Sequence, residues 1–226
     1  MSAVPTCAAS AGGPAHRAPA EAPERVLIIA CGALAREIVE LCRLNRWSAF
    51  EVTCLPPELH NRPERIPAAV QAAIDAHRAH HRRIFVAYGD CGTGGRLDAL
   101  LEAQGIERLP GAHCYEMFAT ARAFAALCEE EPGTFYLTDF LLRHFDRLVT
   151  RGLGLDRHPQ LAAEYFRHYR RLVYLAQSPD AAASERARAV AASLGLAYQF
   201  RLTGYGDLTE TLARVHGGRR TLAWVR

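Results

Sequence analysis

No run of this 226-residue chain approaches the length of a membrane span, which takes about 20 consecutive apolar residues. Nor do the first residues hold the apolar stretch of a secretory signal. Charge of one sign is also missing, because 27 basic residues stand against 24 acidic ones for a net of +3. Arginines such as Arg167, Arg170, Arg171, Arg186 and Arg188 are scattered along helical patterns, without the basic stripe and interleaved aromatics of a nucleic-acid binder. A membrane and a nucleic acid are therefore not expected as partners. The phosphate loop Gly-x-x-x-x-Gly-Lys-Ser/Thr, the dinucleotide fingerprint Gly-x-Gly-x-x-Gly, the Gly-x-Ser-x-Gly elbow and His-Glu-x-x-His are all absent. A Cys-x-x-Cys pair is absent as well.

Cysteine itself is present seven times. The number is odd and the spacings wide, which argues against a disulfide scaffold and for a reducing cytoplasm. Cys42 and Cys128 fall on helical patterns and read as small buried hydrophobes. Cys54 ends a strand pattern, and Cys7 lies in an Ala-, Pro- and Gly-rich stretch. Residues 1–24 read as a disordered leader, and 25–226 as a single α/β domain whose pattern pauses near 151–158. Half of the residues are apolar, enough for one sizeable core or two lobes sharing one.

Short β-rich runs at 25–31, 50–55, 83–88, 106–109, 134–137, 171–176 and 197–202 alternate with helical patterns. The latter cover 33–45, 65–80, 95–104, 114–128, 138–151, 160–169, 180–194 and 207–215. Thr138-Asp139 and Ser178-Pro179-Asp180 supply helix starts, and Gly195 a stop. Such alternation predicts an α/β fold, a mostly parallel sheet with helices on both faces, as one sheet or as two lobes.

In open parallel sheets, ligands bind beyond the carboxyl ends of the strands. Cys31 ends the run Val26 to Ala30, Cys91 comes after Ile84 to Tyr88, and Cys114 after Ile106 to Leu109. Adjacent strands would bring these three thiols into one crevice. Three thiolates suit zinc or iron–sulfur, and three ligands leave a position open for substrate. His113, Asp90 or Glu116 could supply a fourth ligand, although Glu116 also suits a helix start. His113 reads equally as ligand, acid–base group or surface residue. Gly92, Gly94, Gly95 and Arg96 open a helix after a strand and could hold a small anionic substrate; a tight turn explains the glycines equally well. Tyr88 lies near the crevice, and Tyr205, between two glycines, is a second candidate for contact with substrate. Helix capping serves for Thr138, Asp139, Ser178 and Asp207. His77, His80 and His81 read as a polar helix end.

The motifs Ala30-Cys31-Gly32-Ala33-Leu34, Tyr88-Gly89-Asp90-Cys91, His113-Cys114-Tyr115-Glu116-Met117 and Gly133-Thr134-Phe135-Tyr136-Leu137-Thr138, in this order, resemble the bacterial and archaeal domain of unknown function 1638. The resemblance runs from Arg25 to about Val215. It implies no reaction, only an association with corrinoid-dependent methyl transfer, and with it a methyltransferase or corrinoid protein as partner. The expectation is a cytoplasmic metal-dependent enzyme. Cys31, Cys91 and Cys114 would hold zinc or a [4Fe–4S] cluster, with His113 and Tyr205 as catalytic candidates. Two alternatives stand beside it: a non-catalytic small-molecule- or metal-binding accessory protein, and a metal-free thiol enzyme using Cys91.

Overall fold

The computed structural model describes residues 24–217. The leader expected over 1–24, with Cys7, lies outside them apart from Glu24, as do residues 218–226. All seven expected strands form, as β1 (Val26–Cys31), β2 (Phe50–Leu55), β3 (Arg83–Ala87), β4 (Glu107–Arg108), β5 (Thr134–Thr138), β6 (Arg171–Ala176) and β7 (Ala197–Leu202). They make two parallel sheets rather than one, a four-stranded sheet in the order β2-β1-β3-β4 and a three-stranded sheet β5-β6-β7. The central strands β1 and β6 are buried along their whole length, as unbroken apolar runs covered on both faces should be. Ile28 stands level with Val52 on one side and Phe85 on the other.

Nine α-helices accompany the strands among the described residues: α1 (Ala35–Leu44), α2 (Ile66–His77), α3 (Arg96–Glu102), α4 (Glu116–Ala119), α5 (Ala121–Glu130), α6 (Asp139–Arg143), α7 (Leu161–Tyr165), α8 (Ala181–Ser193) and α9 (Asp207–His216). Ile38 and Leu41 of α1, Ile66, Val70 and Ile74 of α2, and Leu97 and Leu101 of α3 seal the first core. Ala183, Ala187 and Ala191 lay a small-residue stripe of α8 on the second. The chain passes between sheets after β4 and before β5, while 151–158 lies inside the β5-to-β6 connection. After β7 it returns, and Leu208, Leu212 and Val215 of α9 join the first core. The two sheets are thus tied at both ends of the second.

Two expected helices are broken. The 114–128 pattern splits at Thr120, whose φ of 60° ends α4 and whose hydroxyl accepts the Ala123 N–H to begin α5. The 138–151 pattern ends as α6 at Arg143 and resumes as a π-turn over Asp146–Thr150.

Thr138 caps α6 through its hydroxyl, at 3.2 Å from the Leu141 nitrogen. Asp139 accepts hydrogen bonds from the Tyr174 hydroxyl at 2.6 Å and from Ser178 at 3.1 Å. It closes the carboxyl ends of β5 and β6 rather than facing a ligand. Asp207 accepts from the Ala121 N–H at 2.8 Å.

Glu37 on α1 is only 4% exposed, and its Oε2 finds no partner among the described residues. Burial raises its carboxyl above the ordinary value; its own backbone hydrogen bond and Arg36 oppose this, Asp139 adds to it, and Arg143 opposes. The folded state therefore holds this proton more tightly than the unfolded chain does. That stabilisation is complete below the unfolded pKa, about 4.3, and is lost as pH rises through the raised folded value. Glu37→Gln is expected to stabilise the fold by about 1 kcal/mol at neutral pH and to flatten this fall. Urea midpoints at several values between about pH 4 and 8 measure it.

Candidate metal centre

The order β2-β1-β3 puts the carboxyl ends of three strands side by side, and four chemistry-bearing side chains meet there. Cys31 closes β1. Its Sγ accepts the Ala33 N–H at 3.3 Å, which caps the short 3-10 turn leading into α1. Cys91 lies after β3 in a left-handed conformation, φ 49°, with its N–H bonded to the Ala112 carbonyl at 2.7 Å. Asp90 N–H likewise reaches the Gly111 carbonyl at 3.1 Å. These bonds lash the loop after β3 to the loop after β4, and so bring Cys114 against Cys91. Their sulfurs stand 3.1 Å apart, both thiols are free and buried, and the Gly89 N–H points at the Cys114 Sγ from 3.4 Å.

Gly89 is what allows the two loops to close. A Cβ at this position would come within 2.9 Å of the His113 carbonyl carbon and 3.1 Å of the Cys114 nitrogen. Both are backbone atoms that cannot step aside.

The fourth group is His60, which sequence reasoning did not single out. It lies in the 3-10 segment Pro57–Asn61 after β2, and a general signal existed, since this loop too leaves a strand's carboxyl end. The ligand atoms of His60, Cys91 and Cys114 all lie within 4.8 Å of one another. His60 Nδ1 is 3.1 Å from the Pro57 carbonyl and 3.8 Å from the Cys31 Sγ. Cys31 therefore borders the compact three-residue group without being one of its members. Tyr88 lies nearly parallel to the His60 ring at 6.0 Å between centroids. It is fully buried, and its hydroxyl has no hydrogen-bond partner among the described residues.

Electrostatics tie these groups together. Burial works against the His60 cation, but hydrogen bonds to Cys114 and Cys91 outweigh it and raise the imidazole to about 10. The hydrogen bond with Cys114 and then burial push the Cys91 thiol far above its ordinary range. The hydrogen bond with Cys31 leads the upward push on Cys114, while its bond with Cys91 opposes it. Burial dominates the rise at Tyr88 and the lowering at His113.

His60, Cys91, Cys114 and His113 open onto a cavity of about 410 Å³. Its walls come from both sheets, with Leu34 and Phe118 on one side and Phe135, Tyr136 and Phe140 on the other. The His113 ring stacks on Tyr115 at 4.9 Å, and Glu116 Oε2 sits 3.5 Å from the His113 N–H, as expected of a helix-start residue.

The glycine-rich turn is placed differently from the anion cradle that its sequence suggested. Asp90 already occupies it, taking the N–H groups of Gly94 at 3.0 Å and Gly95 at 2.9 Å and the Thr93 hydroxyl at 2.5 Å. Arg96 turns its Nε to the Thr93 carbonyl at 2.9 Å. Gly92, Gly94, Gly95 and Arg96 do not line the cavity. Tyr205 does not line it either; it packs on the first core, on the side of α1 that carries Glu37 and Glu40. His81 is paired with Glu51 at 3.0 Å.

The model of the family described as "Protein of unknown function (DUF1638)" matches residues 54–212. The span takes in His60, Cys91, Cys114 and the cavity walls from Pro57 onward, and begins after the Ala30-Cys31-Gly32-Ala33-Leu34 motif. No curated protein and no solved structure matches the chain. With most of its length matched, the chain belongs to this family of proteins of unknown function.

Proposed function

We propose that the chain is a metal-dependent enzyme with a mononuclear zinc centre held by His60, Cys91 and Cys114, acting on a small molecule admitted through the adjoining cavity. The observation that carries this reading is the grouping of one imidazole and two thiols within 4.8 Å at the wall of a cavity. With Zn–S near 2.3 Å and Zn–N near 2.0 Å, the ligand atoms of one imidazole and two thiolates on a tetrahedral ion lie about 3.5–3.8 Å apart. The ligand atoms here lie within 4.8 Å of one another, and the two sulfurs, at 3.1 Å, would part by about 0.7 Å to seat the ion. In a [4Fe–4S] cluster each thiolate binds a different corner of a cube, so the sulfurs must stand farther apart than two ligands of one ion. The 3.1 Å between Cys91 and Cys114 therefore favours a single ion over a cluster.

His60, hydrogen-bonded to the Pro57 carbonyl through Nδ1, offers Nε2 as ligand, an outer-shell contact that commonly orients metal-bound histidine. The three ligands line the cavity and Cys31 does not, so the remaining coordination position faces the bound molecule. Zinc bound in this way activates a thiol or a water. The first suits the methyl-transfer setting that the family resemblance implies, with a methyltransferase or corrinoid protein as partner. His113 on the cavity wall is placed for proton transfer. Free thiols at the six cysteines of the described residues suit a reducing compartment, and no helix of the described residues is long and apolar enough to cross a membrane.

The test is an anaerobic zinc titration of the full chain. One zinc per chain is expected, with affinity lowered by more than about a hundredfold in Cys91→Ser and Cys114→Ser, so that these load only at excess zinc, and by less in Cys31→Ser. Absence of stoichiometric binding in the unaltered chain would overturn the reading.

A further inference from the structure

Resting on the metal reading above, the cavity walls narrow the substrate. We propose that the site takes an uncharged organic thiol carrying an apolar, preferably aromatic, group, its sulfur directed at the metal and its body held between the two sheets. Two independent features lead there.

The first is the donor set. A centre with two thiolates is soft, and soft centres favour sulfur over carboxylate or phosphate oxygen. Binding forms one metal–sulfur bond and breaks the S–H bond, its proton passing to solvent with no change of oxidation state.

The second is the wall. Aromatic rings surround the space: Tyr115 and Tyr136 stack at 5.4 Å, while Phe135 and Tyr169 meet edge to face at 5.6 Å. Leu34, Phe118, Phe140, Leu141, Leu148 and Val149 fill in between. No Arg, Lys, Asp or Glu lines the cavity among the described residues. An ionised group brought inside would lose water and meet only neutral polar groups such as Asn61, Thr134 and Thr138, which leaves its charge uncompensated and is costly, whereas an apolar ring replaces water at a gain. The volume, about 410 Å³, falls in the range of small-molecule sites. The anionic substrate suggested by Gly92 to Arg96 finds no receptor here, since Asp90 has taken those amides.

The experiment uses the full chain loaded with cobalt(II), whose sulfur-to-metal absorption reports thiol binding directly. The probes are 2-phenylethanethiol and 3-mercaptopropionate, which share the HS–CH2–CH2 arm and differ in a ring against a carboxylate. The aromatic thiol is expected to enhance the sulfur-to-cobalt band and to bind at least about tenfold more tightly. Ethylbenzene, lacking sulfur, should leave the band unchanged. Tyr169→Lys, which puts a cation on an exposed wall position, should narrow the ratio while leaving cobalt binding intact. Equal or tighter binding of 3-mercaptopropionate, or no band change with either thiol on a cobalt-loaded protein, would overturn the substrate class and leave the metal centre standing. Displacement of 2-phenylethanethiol by tetramethylammonium at comparable concentration would overturn it too, and would assign the rings to a cation. Failure to take up cobalt at all would remove the metal reading and this inference together.

Discussion

His60→Ala is expected to lower zinc affinity by more than about a hundredfold while leaving the fold intact. Loss of a partner that only orients a ligand typically costs about 10–100-fold, and loss of the ligand itself costs more. His60 sits in a short 3-10 segment outside the packed core and keeps part of its surface exposed, and its ring faces the core only through Tyr88, at 6.0 Å between centroids, so circular dichroism should barely move and the urea midpoint should fall only slightly. His60→Cys restores a donor at the same place and should recover most of the affinity, because zinc accepts thiolate as readily as imidazole. Competition with a chromophoric chelator measures all three proteins. Equal affinity for wild type and His60→Ala would remove His60 from the centre and return attention to Cys31, the thiol 3.8 Å from its ring.

Gly89→Ala is the second large effect, and it should act on structure and site together. The added carbon meets backbone at 2.9 and 3.1 Å, so the loops after β3 and β4 must separate. Overpacking of this kind costs about 1–3 kcal/mol. The separation would also loosen the hydrogen bonds from Asp90 and Cys91 to the neighbouring loop, and with them the 3.1 Å pairing of Cys91 with Cys114. Zinc affinity should therefore fall at least about tenfold even where the protein remains folded. Gly94→Ala is the control. It also replaces a glycine of positive φ, 63°, but in open space and away from the cavity, so any strain should leave zinc binding nearly unchanged. Parallel losses of zinc binding in both variants would mean that general loop strain, rather than the Gly89 contact, sets the site.

Some of this arrangement was legible in the sequence, and the reasons for the rest are physical. The central strands were legible as apolar runs flanked by turn residues, and Val26 to Cys31 could hardly be anything else. The three cysteines were legible as a group because strand ends are where parallel sheets put their loops. Whether the strands formed one sheet was not legible. That depends on how the excursion from Leu109 to Gly133 packs, and Met117 and Phe118 bury into the first core while Phe124 and Leu127 bury into another cluster. The break at Thr120 was hidden for a similar reason, since Ala119, Ala121 and Arg122 beside it are good helix formers and the turn lets α4 pack against α9 while Phe124 and Leu127 of α5 bury elsewhere. His60 was missed because a 3-10 segment has no periodicity to draw the eye. Its signal is one of position, in the loop beyond the carboxyl end of β2, just as Cys31 and Cys91 stand at the ends of β1 and β3. The glycine-rich turn misled because Asp90 is a ready acceptor for the same amides that an anion would use, and a local carboxylate wins over a free one through proximity.

The most direct measurement is X-ray absorption at the zinc edge of the loaded full-length chain. The expected spectrum has sulfur near 2.3 Å and nitrogen near 2.0 Å in a four-coordinate shell, with the nitrogen contribution weakened in His60→Cys and the sulfur contribution halved in Cys91→Ser. A shell of oxygen and nitrogen alone, unchanged by either substitution, would contradict a centre built from His60, Cys91 and Cys114.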